Sequence, residues 1–255
     1  MSTDPTFHRE AFRVRAYEAD DTGCASLLTL CDYFQEAAGN HALARGFARL
    51  TFREGTEPTG VWVLHRLRIE ADRLPAWQAL VTVETWPSHH KGLHAFREYV
   101  AKDAQGARIA AGTSSWFVLD VERRRPARLP PLLSTVEAPD RPRPLDGTAP
   151  PLPFDAATPD LVVNTFAVRR TDLDLNGHAN HVRFVEWAVA SVPASFAEAH
   201  VCMGFDLRID REVVSGETVT AEAHPTPDGW AHRLRRGDDT LARLTTRWVP
   251  ADTPD

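Results

Sequence analysis

The sequence is poor in cysteine and lacks any long uninterrupted apolar run. Its three cysteines, Cys24, Cys31 and Cys202, stand at spacings that fit neither a disulfide framework nor a CxxC metal knuckle. No stretch approaches the roughly 18 consecutive apolar residues that a membrane-spanning helix needs. The opening residues show neither a signal nor a transit pattern. These absences predict a cytoplasmic protein with reduced thiols and no membrane span.

The sequence also lacks an excess of positive charge. Lys and Arg number 29 against 35 Asp and Glu, which gives a formal net charge of -6 at pH 7. This balance argues against a general affinity for nucleic acid or anionic membranes. The 255 residues are 43% hydrophobic and 25% charged, a composition that excludes disordered, collagen-like and coiled-coil chains.

Proline is concentrated in one segment that divides the chain. Ten of the 19 prolines fall between Pro126 and Pro159, where neither a helix nor a central strand can persist. We interpret residues 126–160 as an interdomain linker. Residues 1–125 and 161–255 are then two domains of ordinary size.

The two predicted domains carry matching residues in the same order. At a constant offset of 154, Val14, Arg15, Asp20, Gly23 and Ala25 recur as Val168, Arg169, Asp174, Gly177 and Ala179. At shrinking offsets of 140, 138 and 132, Leu67–Ile69 faces Leu207–Ile209, Thr82–Glu84 faces Thr220–Glu222, and Thr113–Trp116 faces Thr245–Trp248. Because the order is kept, the sequence predicts a duplicated architecture with shorter loops in the second copy.

Each copy predicts one helix followed by an antiparallel sheet. Ser26 caps the first helix, which we expect to run to about Gly46, and Asn180 caps the second, which we expect to end at Pro193. Alternating apolar and polar residues then predict strands joined as hairpins. This order of elements is the α+β pattern.

The two copies differ in the loop that leads into the helix. The first has Thr22 and Cys24 where the second has Asn176 and His178. Unpaired backbone N–H groups and the positive end of the helix dipole lie beside such a loop, and they favour a developing oxyanion. We therefore expect the Asn176 amide, with backbone N–H groups at Gly177 or just after it, to donate to an oxyanion.

Other interpretations of the loop involve metal binding or a purely structural role. His178 and His181 are three residues apart, but no third ligand stands at a convincing spacing, so we predict no metal and no cofactor. Asp and Asn beside glycine before a helix are also ordinary turn and capping residues, and Glu212 fits a solvated charge at a strand end. These structural interpretations remain open for each residue taken alone.

A longer string of residues resembles a known family. Residues 172–187 read Asp-Leu-Asp-Leu-Asn-Gly-His-Ala-Asn-His-Val-Arg-Phe-Val-Glu-Trp, and together with Leu207 to Glu212 they are similar to the signature of acyl-acyl carrier protein (acyl-ACP) thioesterases. The resemblance covers nearly the whole chain. It implies a tandem, or double, hot-dog fold, with each half a long helix wrapped by an antiparallel sheet, and it implies hydrolysis of a fatty acyl thioester on acyl carrier protein.

The resemblance also implies roles for individual residues. The positions that match the family's hydrolytic residues are Asp174, Asn176, His178 and Glu212. We expect Asn176 and His178 near the thioester carbonyl, and we assign the general-base role to Glu212. Val213 follows this glutamate where some members have a cysteine, so a covalent acyl-cysteine mechanism is disfavoured. His181 replaces the asparagine that is usual in the family, which alters the polar lining.

The first copy lacks Asn176 and His178 but keeps an apolar helix, so we predict that it holds the acyl chain. The predicted lining residues are Leu27, Leu30, Tyr33 and Phe34. Simple core packing is the alternative for these four. In the second copy, Gly177 and Asn180 are predicted to contact the substrate beside the catalytic set.

Several functions stay open at this stage. The leading one is hydrolysis of fatty acyl-ACP by water, which terminates fatty acid biosynthesis; the alternatives are an acyl-CoA thioesterase, a 3-hydroxyacyl-thioester dehydratase and a non-catalytic acyl-binding module. Arginines 123–125, 128, 141, 143, 233, 235 and 236 are either a solvated face or the landing surface for a strongly acidic carrier protein. The sequence leaves open the preferred acyl chain length, the choice between acyl carrier protein and coenzyme A as the acyl carrier, and the oligomeric state, which is a monomer or a homodimer.

Overall fold

The chain divides into two compact units, residues 1–147 and 148–255. The structure, a computed structural model, describes residues 6–48, 60–120, 122–123, 125–127, 138–145, 152 and 154–251. The division falls inside segment 126–160, of which residues 128–137, 146–151 and 153 lie outside the described residues. The domain limits drawn from the sequence therefore stay a prediction.

The first unit combines one long helix, α1 (Leu27–Ala44), with an antiparallel sheet. The strands are β1 (His8–Arg13), β2 (Gly60–Ala71), β3 (Leu80–Lys91), β4 (His94–Lys102), β5 (Arg108–Asp120) and β6 (Arg125–Ala127). Their order across the sheet is β1-β3-β4-β5-β2, and β6 pairs with β5. The last two residues of β6 belong to the predicted linker. Among the described strands β6 pairs only with β5, and proline is tolerated in such an edge strand because its missing N–H is not needed on the unpaired side.

The second unit repeats this plan with shorter helices. Its helices are α2 (His181–Val189) and α3 (Ala194–Ala197), and its strands are β7 (Val162–Ala167), β8 (His200–Ile209), β9 (Thr218–Thr226), β10 (Gly229–Arg236) and β11 (Asp239–Pro250). The strand order is β7-β9-β10-β11-β8. It is the order of the first unit, because β7 to β11 correspond in chain order to β1 to β5. The predicted α+β class and tandem hot-dog fold are confirmed.

The first helix follows its predicted pattern. The Ser26 side chain accepts a hydrogen bond from the backbone N–H of Thr29, and this satisfies one of the free donors at the helix start. Most apolar side chains of α1 face the sheet and are buried, with Leu30 and Phe34 at most 1% exposed, whereas Leu43 near the end of the helix is 69% exposed. The helix ends at Ala44, two residues before the predicted end.

The second helix is shorter than the sequence suggested. Asn180 caps it as predicted, because its side-chain oxygen accepts from the N–H of Val182. The helix ends at Val189 rather than at Pro193, and Pro193 instead precedes the short helix α3. Proline is well suited to a helix start, where its missing N–H is not needed. Among the helices that the structure describes, none has the length and apolarity to cross a lipid bilayer.

A buried carboxylate recurs at the same sheet position in both units. The Glu84 side chain is 3% exposed and accepts from Arg9, Lys102 and Arg141 at 2.7, 2.9 and 3.2 Å. Its counterpart Glu222 accepts from two arginines of β10. Burial by itself raises the pKa of the Glu84 carboxyl, but the hydrogen bonds from its cations outweigh burial and hold that pKa below its ordinary value.

Replacing this carboxylate tests its contribution to stability. A depressed carboxyl pKa adds stability that is complete above the ordinary pKa of 4.5 and is lost as the pH falls through the lowered value. We expect Glu84→Gln to lower the free energy of unfolding by about 1–3 kcal/mol at pH 7 and by less at pH 3. Urea unfolding at both pH values measures this, and exposed Glu122→Gln is the control. An equal loss at both pH values would contradict the ion-pair explanation.

Candidate active site

The loop before α2 is shaped by one aspartate. Oδ1 of Asp174 accepts from the backbone N–H of Asn176 at 2.8 Å and of His178 at 3.3 Å, and Oδ2 accepts from the Asn176 amide at 3.3 Å. The N–H of Asp174 donates to the carbonyl of His178 at 2.8 Å and closes the loop. Asp174 therefore positions both Asn176 and His178.

The same loop geometry occurs in the first unit. Oδ1 of Asp20 accepts from the N–H of Thr22, and the N–H of Asp20 donates to the carbonyl of Cys24 at 3.0 Å. Gly23 and Gly177 have φ values of +77° and +78°, a left-handed conformation that favours glycine. The sequence repeat at offset 154 therefore corresponds to a repeated backbone structure.

A backbone hydrogen bond brings Glu212 to this loop. The N–H of Ala179 donates to the carbonyl of Val213 at 2.8 Å, and the Val213 side chain is buried, which fixes the chain beside it. As a result, Oε2 of Glu212 lies 3.2 Å from Nε2 of His178. The two side chains are 63% and 39% exposed, so solvent reaches the pair. The structure brings Asp174, Asn176, His178 and Glu212 together at this loop.

The first unit lacks this pair for a reason visible in its hydrogen bonds. There the N–H of Ala25 donates to the carbonyl of Pro75 at 2.9 Å, which is the equivalent of the Ala179 to Val213 bond. The residue before Pro75 is Leu74, so leucine stands where the second unit has Glu212. The first loop therefore presents Thr22, Cys24 and Leu74, without an imidazole or a carboxylate at these positions.

The expectation that backbone N–H groups at or just after Gly177 donate to an oxyanion is wrong, because these groups already donate within the protein. The N–H of Gly177 donates to the Asp174 carbonyl at 3.1 Å, that of His178 to the Asp174 carboxylate, and that of Ala179 to Val213. These groups are used to hold the loop. The amide nitrogen of Asn176 carries two hydrogens, of which one goes to Asp174. The second hydrogen is therefore the one donor of this set that we still predict to bind an oxyanion.

His181 is the first residue of α2 and lies beside the loop. Burial lowers the pKa of His181 to about 4, against a smaller opposing effect of Asp174. Its ring is therefore neutral at pH 7, with one donor and one acceptor nitrogen. Among the described residues no group of three or more histidine, cysteine or acidic side chains is arranged to hold a metal ion.

The four predicted acyl-lining residues are all in the core of the first unit. Leu27, Leu30, Tyr33 and Phe34 are at most 4% exposed. The Tyr33 hydroxyl donates to Glu18 at 2.7 Å, and the Phe34 ring stacks on Tyr99 at a centroid distance of 5.0 Å. These contacts fit the packing alternative, and contact with an acyl chain stays a prediction.

Most of the candidate docking arginines that fall on described residues are already paired. Arg141 and Arg143 bind the buried carboxylates Glu84 and Glu98, and Arg123 binds Asp120. In the second unit Arg233 and Arg235 both bind Glu222, and Arg236 binds Glu217. These six arginines therefore form ion pairs within their own unit. Arg124 and Arg128 lie outside the described residues, and Arg125 is exposed.

A cleft of about 290 Å³ lies in the second unit between β7 and α2. Its lining residues are Thr165, Phe166, Ala167, Arg169, Glu186, Trp187 and Ala190. None of Asp174, Asn176, His178 or Glu212 belongs to this lining. The cleft is therefore distinct from the histidine and glutamate pair.

Val213 is the residue whose part in the site was not anticipated from the sequence. Its carbonyl anchors the loop, and this role needs no particular side chain, so no residue type marks it. The sequence repeat carried a signal for Val213. The offset of 138 that pairs Thr220 and Glu222 with Thr82 and Glu84 also pairs Val213 with Pro75, whose carbonyl anchors the first loop.

Comparison with known proteins gives consistent matches along the chain. A family model described as the acyl-ACP thioesterase N-terminal domain matches residues 5–135, and one described as the C-terminal domain matches residues 156–250. Among curated proteins, a chloroplastic acyl-[acyl-carrier-protein] hydrolase of Cuphea viscosissima is 28% identical over 97% of this chain and 63% of its own length. A chloroplastic oleoyl-acyl carrier protein thioesterase of Coriandrum sativum is 29% identical over 89% and 65%.

The chain thus spans just under two thirds of the length of these two relatives. Among solved structures, a Lactobacillus plantarum protein assigned as an oleoyl thioesterase superposes with a TM-score of 0.85 at 27% identity. That match covers 98% of this chain and 99% of the other. The similarity therefore extends through both units.

Proposed function

The chain belongs to the acyl-ACP thioesterase family, and from this premise we propose that it hydrolyses fatty acyl-ACP to a free fatty acid. The observation that carries the proposal is the 3.2 Å approach of His178 Nε2 to Glu212 Oε2 in the second unit. This contact supports the proposal because the imidazole and the carboxylate are both exposed and the Asn176 amide belongs to the same loop as His178. We further propose that this reaction terminates fatty acid synthesis on the carrier, in the cytoplasm.

The proposed mechanism uses water as the nucleophile. A thioester carbonyl is already electrophilic, so hydrolysis needs an oriented water, a base and a donor for the tetrahedral oxygen. Glu212 accepts the proton of the water, and Asn176 donates to the oxyanion. His178 polarises the carbonyl or protonates the departing thiolate, and in the second case the proton that Glu212 took from water passes to His178 across their 3.2 Å contact. Asp174 acts through the others by holding Asn176 and His178 in place.

The cysteines offer no support for a covalent intermediate. Val213 occupies the position after Glu212, and the three cysteines lie elsewhere in the sequence. Cys31 is buried in α1, and burial raises the pKa of its thiol well above the ordinary value, which keeps it protonated and unreactive. Direct attack by water is the simpler route for this chain.

The roles of the two units are also proposals. Because the first loop has Thr22, Cys24 and Leu74 at the matching positions, we assign hydrolysis to the second unit and acyl-chain binding to the first. The limits 1–125 and 161–255, with 126–160 as linker, go with this assignment. Gly177 and Asn180 are assigned to the substrate side of the loop.

The test is thiol release measured over a series of acyl chain lengths, on both acyl carrier protein and coenzyme A. We expect faster turnover on the carrier-protein thioesters and a free acid as product. Product mass separates the alternatives, because a dehydratase removes water from the acyl chain and leaves the thioester intact. Binding of acyl thioester without thiol release or dehydration would contradict the proposal and identify a binding module.

The duplicated glycines provide a matched pair of variants. At both Gly23 and Gly177 an added Cβ meets no heavy atom within 4 Å, so strain from the positive φ is the main cost. We expect Gly23→Ala and Gly177→Ala to lower the free energy of unfolding by about 1–2 kcal/mol each. Only Gly177→Ala is expected to reduce kcat, because it alone distorts the loop of Asn176 and His178. Equal losses of activity would contradict the assignment of hydrolysis to the second unit.

A further inference from the structure

Leu175 points into solvent from the middle of the proposed catalytic loop. Its relative exposure is 106%, although it lies between Asp174 and Asn176. The hydrogen bonds from Asn176 and His178 to the Asp174 carboxylate fix the backbone on both sides of it. An isobutyl group held in water contributes nothing to the core. The fold therefore does not require an apolar side chain here.

The first unit confirms that this loop forms with a polar residue at the same position. Asp21 is the counterpart of Leu175 at offset 154, and the loop around it has the same backbone hydrogen bonds. The same comparison pairs Arg170 with Ala16. At offset 138, Val214 pairs with Ala76. The second loop therefore differs from the first by an exposed leucine in place of an aspartate and by an arginine in place of an alanine, whereas Val214 and Ala76 are both apolar.

These three residues lie close in sequence to the proposed site residues. Val214, which is 40% exposed, follows Glu212 by two residues. The turn that contains Val214 is joined to the start of the loop, because Gly216 donates to the carbonyl of Val168 at 3.0 Å. Arg170 lies two residues after Val168, is exposed, and forms no ion pair with any residue that the structure describes. We call Arg170, Leu175 and Val214 the Leu175 surface.

We propose that the Leu175 surface is the docking site for acyl carrier protein. The inference rests on the proposed function, since a carrier that delivers its thioester to Asn176, His178 and Glu212 covers the surface around them. Protein interfaces combine an apolar centre with a polar rim, and arginine is enriched in them relative to the rest of the surface. Leu175 and Val214 contact apolar side chains of the carrier, and Arg170 faces its acidic residues.

The test compares one acyl chain on two handles. Coenzyme A presents the same thioester without a protein surface, so only the carrier-protein substrate senses the Leu175 surface. We expect Leu175→Ser to raise KM for acyl-ACP roughly tenfold or more, with kcat unchanged and with acyl-CoA kinetics unchanged. Leu43→Ser is the matched control, because Leu43 is a 69% exposed leucine on α1. It should leave both substrates unaffected.

Two outcomes would overturn the docking proposal. One is an unchanged KM for acyl-ACP in Leu175→Ser, and the other is an equal change on both handles, which would place Leu175 in the reaction itself. If the wild-type protein hydrolyses neither thioester, the proposed function fails. Calorimetric titration with the unacylated carrier protein then still decides the docking proposal, which requires binding that Leu175→Ser weakens and Leu43→Ser does not.

Discussion

Replacement of Glu212 by glutamine is expected to reduce kcat by ~10²- to 10⁴-fold, the usual contribution of a positioned general base. Glutamine keeps the shape of the side chain and its approach to His178 but cannot accept a proton from water. Because Glu212 is 63% exposed, the substitution should leave the free energy of unfolding nearly unchanged. Steady-state thiol release and a thermal unfolding curve on the same preparation measure both quantities.

Glu198→Gln is the matched control for this experiment. Glu198 is an exposed glutamate of the same unit, just after α3, and it lies away from the loop in sequence. Its replacement should change neither rate nor stability. Activity of Glu212→Gln at the level of the control would remove Glu212 from the mechanism, and the 3.2 Å contact with His178 would then be a surface ion pair.

Phe34→Ala is expected to lower the free energy of unfolding by about 3–5 kcal/mol. The ring is 1% exposed, stacks on Tyr99, and lies so close to the backbone that a Cβ at Gly112 would be 3.0 Å from it. Neighbours held this tightly cannot move in to fill the space, so the cavity stays and its cost is added to the lost burial. Urea unfolding measures the loss.

The same variant distinguishes the two interpretations of α1. If Phe34 only packs, the chain-length profile of thiol release keeps its shape; if it also ends the acyl site, the optimum moves to longer chains. Leu43→Ala, on the exposed part of the helix, should cost less than about 0.5 kcal/mol. A loss for Phe34→Ala as small as that of Leu43→Ala would contradict the packing described for α1.

Much of the site was readable from the sequence because its signals are local. Ser26 and Asn180 mark the helix starts, since a cap acts on N–H groups two or three residues away. The shared Asp, Gly and Ala at offset 154 predicted a repeated loop, and the two loops have the same backbone hydrogen bonds. Where a signal was weaker, at the end of α2, the prediction was wrong by four residues.

The sequence by itself determined the duplicated layout and the residues that distinguish the second loop from the first. Only the tertiary structure decided that Glu212 contacts His178, that the backbone donors from Gly177 onward are already used, and that Arg141 and Arg143 of the predicted linker bind buried carboxylates. The reason is that hydrophobic periodicity and caps act over a few residues, whereas these contacts join distant strands and loops. Their distances depend on strand register and on single bonds such as that from Ala179 to Val213.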